Sequence, residues 1–183
     1  MDFKEALAQK KTAIVQTWIE SVLASYSADG ASFFTREKDR FANPLGYAAK
    51  SGLAAVFDQL IGEASGQEMP AELRQFVTLR SVQAFTPSEA LRFVYQLKSI
   101  LIAQLGQEVL LAAGAEWFAL EARIDALALK IFDLYVEDRE RLYQVKVNEY
   151  KNRNHVMAGA RCPSNMAGNN QEEKIELKVI RDC

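Results

Sequence analysis

Arg80 is the residue whose chemistry is most at odds with its position. After Pro70, Leu73, Phe76 and Val77 define one face at helical spacing, and that face continues through Arg80 to Ala84. A guanidinium on a core-facing stripe is costly unless it is paired and hydrogen-bonded. Glu121 and Asp125, which flank the inner face of the last helix, are plausible partners in a buried ion pair that fixes helix register. The alternative is an anion or ligand contact. Lys98 and Gln104 lie on or beside the apolar face of the next helix, and with Gln83 they could line a partly polar cavity. Side chains of this kind more often reach out to the rim. Tyr47 can point its hydroxyl inward or pack its ring with the tip in water.

Other site chemistries lack their residues. The single histidine, His155, lies at the edge of a polar tail, so no inward-facing helix position offers a haem ligand. Its placement also leaves no Ser–His or Cys–His pair and no inward Glu-x-x-His pattern for a carboxylate-bridged metal. Cys162 and Cys183 are isolated from any CxxC or histidine cluster and read as reduced thiols. No glycine-rich phosphate loop is present. The expectation is a non-enzymatic protein without cofactor or metal.

The balance of 22 Lys and Arg against 24 Asp and Glu gives a net charge of -2, which argues against nonspecific binding to nucleic acid or an anionic membrane. Charges throughout MDFKEALAQKKTAIVQTW do not suit a signal peptide, and no apolar run approaches the roughly 20 residues of a membrane span. A cytoplasmic location follows as the expectation.

The elements that must position these side chains read as an all-α bundle of about six helices, in one domain over residues 1–153. The first should run from about Asp2 to Tyr26, with Lys10 and Lys11 loosening its first turns, and a Gly-containing turn over Ser27 to Gly30 should end it. A short helix over Ser32–Arg40 follows. Asn43 can cap the next helix with Pro44 at its first position, and Gly52 within it should admit a second helix at close range. Pro70 opens the fourth. Thr86 and Glu89 form a capping box around Pro87, starting a helix so apolar that it should sit in the middle. Gly106 and Gly114 bracket a short segment. The last helix runs from about Ala115 to Arg153, and its charged second half keeps a thin apolar stripe, Leu142 and Val145, that suits a narrow seam with another helix. Residues 154–183 read as a linker and flexible tail, in which EEKIELKVI would be disordered or would add to a partner's sheet edge.

The segments TWIESVLASY, FFTREKDRFANPLGY, LRSVQAFTPSEALRFVYQLKSIL and RLYQVKVNEYK resemble the N-terminal sensor domain of RsbRD-type RsbT co-antagonist proteins, over roughly Lys10 to Lys151. DRFANP and SVQAFTPSEA are the most specific parts. The resemblance implies a bacterial stress-response regulator: a globin-like helical domain without haem, often dimeric, that precedes a STAS domain. The residues after the long helix are too few for a STAS domain of ordinary size, so this copy reads as free-standing. Two functions compete on these grounds. One is a regulatory sensor that acts through a protein partner, as a homodimer, with the signal passed along the last helix. The other is a binder of a small hydrophobic or anionic ligand, with Arg80, Gln83, Lys98 and Tyr47 as pocket candidates.

Overall fold

The computed structural model describes residues 3–37, 39–62 and 68–159, the last six of these by backbone only. Seven helices fall among them: α1 (Phe3–Leu23), α2 (Ala28–Arg36), α3 (Pro44–Ile61), α4 (Ala71–Ser81), α5 (Pro87–Leu105), α6 (Gln107–Ala112) and α7 (Gly114–Gly159). The chain divides into two units, Met1–Gln144 and Val145–Cys183, and the division falls within α7. The readings of residues 160–183, including the strand-like EEKIELKVI and both cysteines, lie outside the described residues.

The helix starts follow the local chemistry. Thr86 and Glu89 close a full capping box: the Thr86 backbone N–H donates to Glu89 Oε2 at 2.9 Å, and the Glu89 N–H donates back to Thr86 Oγ1 at 3.4 Å. At α3, the Gly46 N–H donates to Asn43 Oδ1 at 2.8 Å, with Pro44 in the first turn. The first interhelical turn departs from expectation. Ser27, read as part of a terminating turn, is the N-cap of α2, and Asp29 and Gly30 lie in its first turn. The hydroxyl cap outweighs the glycine signal here, so α2 starts and ends about four residues early.

In the first unit α3 packs on α4, and α1 packs on α5 and α3. Gly52 makes the α3–α4 approach possible, since a Cβ there would stand 2.6 Å from the Leu73 backbone nitrogen. Trp18 is fully buried and donates from its indole to the Phe93 carbonyl at 2.7 Å, tying α1 to α5. Lys10 and Lys11 do not loosen α1. Phe3, Ala6 and Leu7 are buried, because Lys10 reaches the Gln104 carbonyl at the end of α5 and Lys11 pairs with Asp58 of α3. Nor is α5 buried all round. Arg92, Tyr95, Ser99 and Ile102 are exposed, so this helix buries one face like its neighbours.

The first-unit part of α7 covers the core with Leu120, Ile124, Leu127, Ala128, Ile131, Leu134 and Tyr135. Polar bonds fix its register: Arg123 to the Gly62 carbonyl, Lys98 to Asp125, Tyr135 to the Phe85 carbonyl, and Arg139 to the Ser81 carbonyl. In the second unit, α7 residues Val145, Val147 and Tyr150 are exposed.

Candidate functional site: a buried guanidinium and an outer helix face

Helical spacing carries Arg80 inward on the face that also buries Leu73, Phe76 and Val77, and only 2% of its surface remains exposed. The expected acid partners are engaged elsewhere. Asp125 is held by Lys98 at 2.8 Å, with Glu121 at 3.9 Å on the same ammonium, and among the described residues no carboxylate lies within ion-pair distance of Arg80. The register argument failed because Lys98, with 23% of its side chain exposed against 2% of Arg80, reaches the same acids at a lower desolvation cost.

Neutral groups surround Arg80 instead. Nη1 donates to Ser25 Oγ at 3.2 Å and to the Tyr26 hydroxyl at 3.4 Å, and Nη2 donates to the Glu89 carbonyl at 3.1 Å. The guanidinium carbon lies 4.2 Å from the Phe85 ring centroid, with the Tyr26 and Phe76 rings at 5.4 and 5.5 Å. Nε is buried and has no hydrogen-bond partner. Glu89 would be a natural counter-ion, but its carboxylate is turned to Thr86, whose bonds hold it below the usual carboxylate value. Burial pushes the Arg80 guanidinium below the usual arginine value despite the nearby Tyr26 hydroxyl, and burial likewise pushes the Tyr26 phenol up against the pull of Arg80.

Of the residues read as pocket candidates, only Gln83 joins this cluster, accepting from the Tyr26 hydroxyl at 3.1 Å. Lys98 belongs to the α5–α7 ion pair, and Tyr47, half-buried, lies under Arg40 at 5.2 Å from its ring centroid. Lys98 and Gln83 are thus held by different partners, and the Gln104 carbonyl accepts from Lys10. Asn43 and Pro44 serve local structure, and so do Thr86 and Pro87. The Asn43 amide donates to the Phe34 and Glu37 carbonyls at 3.0 and 2.9 Å while its oxygen caps α3, so one buried side chain joins two helices. Tyr26 and Phe85, which roof Arg80, were missed as site residues. Their signal was the pair of aromatics at the ends of elements adjoining a misplaced arginine.

A second feature lies on the solvent side of α7. Phe118, Leu129, Phe132 and Tyr143 are 69%, 65%, 44% and 55% exposed. With Ala122 and Val136 they share one face in steps of three, four and seven residues, spanning about 38 Å at 1.5 Å per residue, with Asp125 and Glu140 interrupting the apolar run. The seam read from sequence differs. Leu142 falls seven residues after Tyr135 and eleven after Ile131, on the buried side of the helix, and is half-buried there. Phe118 also borders a surface groove of about 540 Å³ lined by Ile102, Leu110, Leu111 and Trp117. Among the described residues no cluster of His, Cys, Asp and Glu could hold a metal, and no helix is long and apolar enough to cross a membrane.

Residues 12–149 match the family of the RsbT co-antagonist protein rsbRD N-terminal domain, the span that DRFANP and SVQAFTPSEA had marked. The chain belongs to this family, a family of regulatory domains. No match was found among curated proteins or among solved structures.

Proposed function

We propose that this protein is a cytoplasmic, non-enzymatic bacterial regulator that works through protein–protein contact, associates with a second copy of itself through the outer face of α7, and relays a signal along that helix. The helical domain is taken as residues 1–153, with 154–183 as an appended tail. The observation that supports this reading is the exposed stripe of Phe118, Leu129, Phe132 and Tyr143, since a helix that buries one face against the core does not need a second apolar face for folding. Steps of three, four and seven residues keep side chains on one helix face, the arrangement in which two helices interlock. Family membership supports the regulatory character.

The test is sedimentation equilibrium on the wild type and on Leu129→Glu/Phe132→Glu. Both positions are exposed, so helix content and melting temperature should stay the same while a dimer becomes a monomer. A wild type that is monomeric at every concentration, or a double variant that dimerises as well as the wild type, overturns this reading.

A further inference from the structure

Arg80 sits just under the surface, beneath a roof of side chains rather than backbone. Ser25 is exposed, and Tyr26, Gln83 and Phe85 are half-buried. Two of the four belong to the short connector between α4 and α5, residues 82–86. The fold has placed a fixed positive charge here with hydroxyl, carbonyl and aromatic neighbours; three of its five N–H groups are bonded, and among the described residues Nε–H and the second Nη2–H have no acceptor. An uncompensated guanidinium in such surroundings is poorly solvated, and an anion is the group that would relieve it most.

We propose that the Arg80 centre is a binding site for a small, planar, singly charged oxyanion of the carboxylate or nitrate type, admitted by outward rotation of Phe85. The shape follows from the donors. A guanidinium presents its N–H groups in one plane and matches two coplanar oxygens, whereas a spherical halide uses only one donor well. Nε–H supplies the free donor, while the Tyr26 hydroxyl, which accepts from Nη1 and donates to Gln83, holds the guanidinium in place. The aromatic walls of Phe76 and Phe85 limit the ligand to a few heavy atoms.

Such binding would be felt at α7. The connector is tied to it through Tyr135 Oη, which donates to the Phe85 carbonyl at 3.0 Å, and the adjoining end of α4 is tied through Arg139 Nη1, which donates to the Ser81 carbonyl at 3.1 Å. Moving Phe85 therefore pulls on the stretch of α7 that carries Phe132 and Val136 on its other side. This relay rests on the role proposed for α7; the anion site does not.

The experiment is a titration of the ¹⁵N-labelled wild-type protein with sodium acetate, sodium nitrate and sodium chloride at matched ionic strength. The Arg80 Nε–H resonance, assigned by its loss in Arg80→Lys, is followed, and sedimentation is run on the same samples. Acetate or nitrate should move that resonance downfield and saturate, and chloride should not. Phe85→Ala should bind the same anion several-fold more tightly. Reading the wild-type resonance keeps the test valid if Arg80→Lys folds poorly, because Gln83→Ala should then weaken binding. No shift with either oxyanion, or an equal response to chloride, overturns the site. Saturable binding without any change in self-association leaves the anion site standing and removes the relay. A dimer that forms while the resonance stays still removes the anion site and leaves the α7 interface.

Discussion

Replacing Asn43 by alanine should destabilise the first unit more than any ordinary cap substitution. The side chain is 1% exposed and makes three bonds: it accepts from the Gly46 N–H and donates to the Phe34 and Glu37 carbonyls. Losing the cap costs about 1 kcal/mol. Each donor bond to a carbonyl contributes about 1 kcal/mol net, and the partners left behind are shielded from water. The expected loss is about 3 kcal/mol, which for a chain of this size lowers the melting temperature by about 6–12 °C. Asn43→Asp separates the contributions. It keeps the oxygen that caps α3 but loses the amide donor and sets a carboxylate against two carbonyl oxygens, so at neutral pH it should cost at least as much as alanine. Urea denaturation followed by circular dichroism gives both values. A loss below about 1 kcal/mol for alanine, or an aspartate variant as stable as wild type, would show that the clamp is not what holds α2 to α3.

Gly52→Ala should destabilise by about 1–3 kcal/mol, because the new methyl meets the Leu73 backbone at 2.6–2.7 Å and backbone cannot rotate away; an unchanged denaturation midpoint would refute the close approach. The capping box makes a pH-dependent contribution. Since Thr86 holds Glu89 below its unfolded value, the stabilisation is complete above the ordinary carboxylate range and fades as pH falls through the depressed folded value. The stability gap between wild type and Glu89→Gln should therefore narrow on acidification, and a gap independent of pH would contradict it.

Much of the fold was legible because its signals are local. Asn43-Pro44 and Thr86-Pro87 announce helix starts through short-range hydrogen bonds, and the inward residues of α3, α4 and α7 follow simple periodicity. The site was legible only as an anomaly. Periodicity identified Arg80 as buried, but the choice of partner depends on which cation reaches Glu121 and Asp125 first, and that is decided by the packing of α5 against α7. The outer stripe of α7 was obscured for a related reason: the reading followed the inner apolar face of this helix and passed over Phe118, Leu129 and Phe132, whose exposure only the structure shows. Lys10 and Lys11 misled in the opposite direction, since a lysine stem can cover apolar surface while its ammonium finds a helix end.

Helix α2 is the one element of more than two turns in the first unit that contributes no fully buried residue. Its attachment is a handful of polar bonds and the edge of Phe34 against the Tyr26 ring, 5.2 Å between centroids. Such an element detaches as a local unit well before the protein unfolds as a whole. Tyr26 is also part of the roof over Arg80, so each excursion of α2 removes Phe34, one of the supports of that roof. The weakest helix thus buttresses, through a single aromatic pair, the side chain that shields the buried charge.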